Sequence, residues 1–227
     1  MSRALCTQIK DRLEFLKQTL PTWLEYPFDE IVIFDWFSEE PVEPFVRGIA
    51  DDRVCYYKLL LDKPYNLSKA KNGALRGATA DVIYWIDCDV LITDGFPKDL
   101  ELPGNFFYQG REIGIDHTFG SGIISRQQVL EVNGYNENLT GYGYEDTDFY
   151  KRIMDLGVEK KNLPPGLKHV DHSDERRVRF HVEKDHILSA MKNRLRSAGN
   201  KWGAENHQET HIVSRWSTEG YIESMEL

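Results

Sequence analysis

The stretch Val82-Ile83-Tyr84-Trp85-Ile86-Asp87-Cys88-Asp89-Val90-Leu91-Ile92 constrains the fold more than any other. Its β-branched and aromatic run suits a strand buried on both faces. The run ends on two carboxylates one residue apart, and alternate side chains of an extended chain share a face. Asp87 and Asp89 can therefore aim the same way at the carboxyl end of a central strand, where open α/β sheets place their ligands. Two close carboxylates repel and are costly to desolvate unless something positive joins them. A divalent metal carrying a phosphate-bearing substrate would do so. The plain alternative is a strand that ends in a polar turn. Cys88 points to the opposite face, as packing.

The rest of the chain alternates in the same manner. Ala4–Thr7 reads as a first strand. The next segment carries Leu13, Leu16 and Leu20 at helical spacing, closed by Pro21. Ile31–Phe34 is a second strand ending at Asp35, and Val42–Ala50 a short helix. A third strand follows at Val54–Leu61, then a helix capped by Asn66 or Ser68 that runs to about Ala78. Strand–helix alternation predicts a mainly parallel sheet with helices on both faces. Beyond Ile92 a loop occupies Thr93–Gly104, followed by strands at Phe106–Gln109 and Ile123–Ser125. Gln127–Val132 forms a short helix closed by Gly134. Residues 141–148 lead into a helix ending near Gly157. A segment rich in His and Arg spans Lys168–His181, a last helix spans Val182–Ala198, and the polar tail from Gly199 carries no assignment.

Charge narrows the partners. The chain of 227 residues has a formal net charge of −9, which disfavours a nucleic-acid partner or an anionic membrane surface. Cys6, Cys55 and Cys88 lack metal-ligand spacing. The charges at Arg3, Lys10, Asp11 and Arg12 rule out an apolar signal core near the start. No run approaches the ~18 apolar residues of a transmembrane helix. A reducing compartment, the cytoplasm, is the expected location.

Three groups of residues carry candidate chemistry. Asp146 lies three residues before Phe149 and seven before Ile153, so it sits in the first turn of a helix on its inward face. Glu145, Asp146 and Asp148 together also suit a helix N-terminus with no further role. Gly141 and Gly143, beside Tyr142 and Tyr144, supply what a sugar site uses, and a partly desolvated carboxylate can act as general base. His169 and His172 can present two nitrogens to one metal, or belong to a solvated loop with Asp171 and Asp174. A mixed carboxylate–imidazole set suits manganese better than calcium. Arg12, Lys69 and Lys71 sit near strand ends within reach of phosphates; Lys71 reads as a solvated helix charge.

Taken together, these residues resemble the GT-A nucleotide-sugar glycosyltransferases, in particular the β-1,4-galactosyltransferase and chondroitin-type N-acetylgalactosaminyltransferase group and family-2-like enzymes. Asp87-Cys88-Asp89 is similar to the Asp-x-Asp metal motif. Phe119-Gly120-Ser121-Gly122, Ser125-Arg126-Gln127-Gln128, Asn133-Gly134-Tyr135 and Gly141–Asp148 resemble, in order, that group's Phe-Gly-Gly, Ser-Lys-Gln-Gln, Asn-Gly-Phe and Gly-Trp-Gly-Gly-Glu-Asp-Asp-Asp. Tyr142 stands where the family has tryptophan, Tyr144 where it has its second glycine, and Gln8-Ile9 where it has Pro-Phe.

The resemblance implies an α/β, Rossmann-like GT-A fold with a smaller acceptor-side subregion, forming a single domain over residues 1–227. Its nucleotide-binding half would span about 1–92, its acceptor and catalytic half about 93–180, and a C-terminal helix and tail about 181–227. By resemblance, Asp89, His172, His169 and Asp87 would hold manganese, or magnesium in its place. Thr7, Arg12, Asp35, Tyr65, Lys69, Asp87, Gly120, Ser121 and Tyr142 would hold the nucleotide sugar. Asp146 would be the catalytic base, with Glu145 holding the acceptor or supporting the site. The implied reaction is inverting transfer of a hexose or N-acetylhexosamine from a UDP-sugar to a hydroxyl of a glycan or glycolipid. Two alternatives stand beside it, a sugar nucleotidyltransferase and a catalytically inactive carbohydrate-binding GT-A module. The first would want a glycine-rich phosphate loop, which Thr7-Gln8-Ile9-Lys10 lacks.

Overall fold

A computed structural model describes residues 1–60, 62–102, 105–111, 117–199, 202, 212–218 and 220–226. The elements run β1 (Arg3–Ile9), α1 (Leu13–Leu24), β2 (Glu30–Asp35), α2 (Glu43–Ile49), β3 (Val54–Leu59), α3 (Leu67–Gly77) and β4 (Val82–Trp85). They continue with β5 (Val90–Ile92), β6 (Phe106–Gln109), β7 (Gly122–Ser125), α4 (Arg126–Glu131), α5 (Glu145–Asp155), β8 (Glu159–Asn162) and β9 (Leu167–His169). The last are α6 (Asp174–Val178), α7 (His186–Gly199), β10 (Ile212–Ser217) and β11 (Gly220–Glu226).

A nine-stranded sheet has the order β11-β10-β3-β2-β1-β4-β7-β6-β8. Its centre, β3-β2-β1-β4, is parallel, and β7 then joins β4 antiparallel. The alternation of side chains along the central strands divides the core in two. Leu5, Ile31, Ile33, Val82 and Tyr84 face one layer, where α1 supplies Leu13, Leu16, Leu20 and Trp23. Ala4, Cys6, Val32, Phe34, Ile83 and Trp85 face the other, where α3 supplies Ala70 and Ala74. This is why the strands read as unbroken apolar runs: both of their faces are covered. α3 lies especially close to the sheet, since a Cβ at Gly73 would run into the Phe34 ring. The α/β sheet with helices on both faces is thus as expected.

Several boundaries differ from the sequence reading. Pro21 does not close α1, which continues to Leu24. The N–H that proline lacks would have met the carbonyl of Lys17, and both residues lie on the exposed side, where water serves that oxygen. The run from Val82 to Ile92 is not one strand. It breaks after Trp85 into a turn closed by Val90 N–H on the Asp87 carbonyl at 2.9 Å, and β5 leaves the main sheet to pair with β9. α7 starts at His186, where the Asp185 carboxylate accepts from the N–H groups of Ile187 and Leu188 and caps it. β3 ends at Leu59, and Leu61 lies outside the described residues. In the tail, β10 and β11 form an antiparallel hairpin that covers the edge of β3. Among the described residues no helix is long and apolar enough to cross a membrane.

Candidate active site

At the carboxyl ends of β1 and β4, a cavity of about 740 Å³ gathers residues from the whole length of the chain. Of the sequence-derived candidates, Arg12, Tyr65, Asp87, Asp89, Gly120, Tyr142, Glu145, Asp146, His169 and His172 all line it. Two chemically distinct clusters occupy it.

The first cluster is built by the β5–β9 ladder. Val90 lies opposite His169, and the Val170 N–H donates to the Asp89 carbonyl at 2.7 Å. That pairing brings His169 Nε2 to 3.8 Å from Asp89 Oδ2, and three residues further on His172 Nε2 reaches the same oxygen at 2.9 Å. Arg12, at the entry to α1, donates to Asp89 Oδ2 at 2.7 Å. Burial pushes the Asp89 carboxyl up, but the hydrogen bond from His172 and the charge of Arg12, with His169 and His172, outweigh it and hold it at about 2. The donor atoms of Asp89, His169 and His172 lie within 4.8 Å of one another. His172 Nε2 donates to Asp89 in this arrangement, and Nδ1 sits 3.2 Å from the Ser173 carbonyl; a shift of the ring proton to Nδ1, where that carbonyl accepts it, would free Nε2 for an ion. One carboxylate and two imidazoles fit a first-row divalent ion such as manganese. Asp87 is not part of this group. Its carboxylate turns the other way and accepts from Trp85 Nε1 at 3.3 Å, because the turn after Trp85 ends the extended geometry that would have aligned it with Asp89.

The second cluster centres on a lysine that the sequence reading assigned to solvent. Lys71 is 2 % exposed. Its Nζ donates to Asp146 Oδ1 at 2.5 Å and to Glu145 Oε1 at 3.4 Å, over the rings of Tyr135 and Trp85. Burial would lower the ammonium, and Asp146, Glu145 and Asp87 more than reverse this, so it remains a cation. Burial drives the Asp146 carboxyl upward, Glu145 and Asp87 add to this, and Lys71 opposes it. Gly120 lies between Asp87 and Asp146. A Cβ there would come within 2.6 Å of Asp87 Oδ2 and 3.1 Å of Asp146 Oδ2, so only glycine lets the backbone pass. Gly141 and Gly143, both at φ +88°, carry the chain into α5 with Tyr144 left-handed at φ 75°. Phe149 and Ile153 are buried below, which turns Asp146 inward as the helical spacing predicts. Glu145 Oε2 is buried with no hydrogen-bond partner among the described residues.

Four candidates fall outside the cavity. Asp35 is fully buried and accepts from Ser38 N–H, Ser38 Oγ and Tyr56 Oη, so its oxygens serve the core. Thr7 is buried in β1, and the neighbouring Gln8 faces the cavity instead, accepting from Tyr65 Oη at 3.0 Å. Lys69 borders a separate cavity beside Asn66, since residues two apart on a helix do not share a face. Ser121 is buried behind Gly120.

His181, at the end of the His- and Arg-rich segment, also belongs to the site, with no motif in the sequence to mark it. It is 3 % exposed, lines the cavity, and packs with its ring tilted against Tyr65 at 5.0 Å, with Nδ1 buried and without a partner among the described residues. Burial pushes its imidazole down to about 4, with Lys184 and Arg12 adding to this and Glu145 opposing. The unfolded chain therefore takes up a proton near pH 6.5 that the folded protein refuses until about pH 4. That stability is complete above the unfolded value and is lost as pH falls through the window between them, at up to about 1.4 kcal/mol per pH unit. Urea unfolding at pH 7 and pH 5 should show a smaller loss for His181→Phe than for the wild type. Equal losses would mean that the ring is solvated.

The comparisons with known proteins agree with this geometry. Residues 108–176, which contain Gly120, Glu145, Asp146, His169 and His172, match the family described as the N-terminal domain of galactosyltransferase. No curated protein matches the sequence. Among solved structures, the catalytic domain of Drosophila β1,4-galactosyltransferase 7 in complex with xylobiose is similar at TM-score 0.62 and 17 % identity, over 93 % of this chain and 87 % of that one. A mutant of that enzyme, in complex with manganese, UDP-Gal and xylobiose, is similar at TM-score 0.61 and 16 % identity, over 93 % and 88 %. Mannosyltransferase PcManGT from Pyrobaculum calidifontis, with GDP-Man and Mn2+, is similar at TM-score 0.56 and 16 % identity, over 72 % of this chain and 54 % of that one. The sheet, the family segment and the two clusters support one assignment: the chain has the fold of the GT-A nucleotide-sugar glycosyltransferases and resembles their galactosyltransferase-like members.

Proposed function

We propose that the protein transfers a hexose or N-acetylhexosamine from a UDP-sugar to a glycan hydroxyl with inversion at the anomeric carbon. One observation carries this reading: the Asp89–His169–His172 group and the Lys71-anchored Asp146 open into one cavity. A donor phosphate and an acceptor hydroxyl then have separate places within it. The similar structures that hold a nucleotide sugar with manganese add support.

In this reading Asp89, His169 and His172 hold manganese, or magnesium in its place. When bound, the ion supplies charge neutralisation for the departing diphosphate. Arg12 adds a fixed positive charge on the same side. Tyr65 and Tyr142 offer ring faces and hydroxyls to the donor, and Gly120 keeps the floor low enough for the sugar to sit against Asp87. Glu145, whose buried Oε2 has no partner among the described residues, supports the site beside Asp146 or holds the acceptor. Asp146 takes the proton of the attacking hydroxyl, and its raised proton affinity suits that task. In this reading the hydroxyl deprotonated by Asp146 attacks the anomeric carbon as the diphosphate departs from its other face, and this single displacement inverts the centre. Holding both substrates in this geometry supplies much of the rate.

Calorimetry tests the metal side. UDP should bind at least about ten-fold more tightly with manganese than with a chelator, and His172→Ala should narrow the gap, as loss of one ligand costs about one to a few kcal/mol. Equal affinity in both conditions would remove the metal from the mechanism. UDP release across a panel of UDP-sugars identifies the donor.

A further inference from the structure

The last helix is built inside out. The residues that α7 turns toward the body of the protein are polar. Ser189 and Asn193 are each 1 % exposed. Ser189 Oγ accepts from the Tyr142 N–H at 2.8 Å, Asn193 Nδ2 donates to the Gly143 carbonyl at 2.8 Å, and Ser197 Oγ donates to Asp148 Oδ1 at 2.6 Å. These bonds fix the helix behind the glycine loop that leads to Asp146. Its apolar residues lie on the opposite side. Ile187, Leu188, Met191 and Leu195 are 63 %, 42 %, 60 % and 74 % exposed. At 3.6 residues per turn they fall within an arc of about 100°, a single stripe directed at solvent. Val182, just before the helix, is 96 % exposed.

Charge selects what covers this stripe. Within His186–Gly199 there is no acidic residue, while Lys192, Arg194 and Arg196 are cationic, in a chain whose formal net charge is −9. By helical position Lys192 and Arg194 border the stripe on its two edges. Lys192 also pairs with Glu183 at 2.6 Å, across an exposed surface where such a pair exchanges readily for another anion. An apolar stripe edged by Lys and Arg is the pattern of a helix lying in the plane of a lipid interface. Like charges on both edges oppose a second copy of the same face.

We propose that α7 docks the protein on an anionic lipid bilayer, its apolar stripe in the acyl boundary and Lys192 and Arg194 at the headgroup phosphates. Ile187, Met191 and Arg194 also line the catalytic cavity, so docking brings the cavity mouth to the headgroup layer. Under the glycosyltransferase reading, on which only this consequence rests, the acceptor is carried by a membrane lipid.

Flotation of the full chain with vesicles tests the docking without any need for turnover. The wild type should bind phosphatidylglycerol-containing vesicles at least about ten-fold better than pure phosphatidylcholine, and less well as salt rises. Leu188→Ser/Leu195→Ser, two positions outside the cavity, should lose at least about ten-fold of that binding and keep UDP–manganese affinity. Failure of the wild type to bind either vesicle overturns the proposal, and so does unchanged binding by the variant. A variant that instead dissociates a dimer, with no lipid binding by the wild type, reassigns the stripe to a second copy.

Discussion

Asp146→Asn should give a folded protein that binds UDP with manganese almost normally and transfers sugar at least about a hundred-fold more slowly, the loss expected on removing a general base. Asparagine keeps the shape of the side chain, so the backbone of α5 and the stack of Phe149 beneath it stay in place. Asp89, His169 and His172 stand in the turn before β5, on β9 and after β9, whereas Asp146 stands on α5 and pairs with Lys71. Donor affinity therefore separates a lost base from a collapsed site. Were the acidic cluster only helix-terminus electrostatics, the change would cost about 0.3–1 kcal/mol of stability and leave turnover alone. A folded Asp146→Asn protein with near-normal turnover on its acceptor would take the base away from this residue. One accompanying change is expected: Lys71, which donates to Asp146 at 2.5 Å, keeps only Glu145 and Asp87 as anionic neighbours.

The second large effect belongs to Lys71 itself. Lys71→Met keeps the apolar stem over Trp85 and Tyr135 and removes the cation from among Asp87, Glu145 and Asp146. Removing one partner of a buried ion pair costs about 3–5 kcal/mol, since it strands charge in a poorly solvated place. An exposed helix lysine costs within about 0.5 kcal/mol. The penalty should depend on pH in a stated direction. Without Lys71 the folded carboxylates hold their protons to higher pH than in the unfolded chain, so the folded state binds more protons and the variant loses stability as pH rises. Its deficit in urea unfolding should be larger at pH 7 than at pH 5. A deficit below about 1 kcal/mol that does not change with pH would place the ammonium in water. Lys71→Arg, which retains the charge, should recover part of the stability and less of the rate, because the fork of a guanidinium does not reproduce the single short bond to Asp146.

Arg12, half-buried, and Lys71, buried, are two cations in a chain of net charge −9. One sits on Asp89 and the other on Asp146, so each side of the cavity carries its own positive charge.

Much of this was legible in the sequence by itself. The apolar runs at β1, β2 and β4 determined a covered central sheet, because a strand with both faces apolar has no other stable setting. The 3.6-residue period of Asp146, Phe149 and Ile153 determined that Asp146 faces inward. The family-like motifs marked Asp89, His169, His172 and Glu145, and all of them line the cavity. Other matters were decided only by tertiary contacts. Lys71 looks like any helix lysine, and its burial follows from α5 arriving on top of α3 with two carboxylates, seventy-odd residues away in sequence. Asp87 and Asp89 share a face only if the strand stays extended; the turn after Trp85, stabilised when β5 pairs with β9, points them at different clusters. Thr7 and Asp35 sit at strand ends as donor-binding residues would, but a one-residue step along a strand reverses the face, and core partners claimed Asp35. The edge of β3 carries no sign of what will pair with it, so the hairpin in the tail was decided by the backbone hydrogen bonds to that edge and by Val213 reaching the core there.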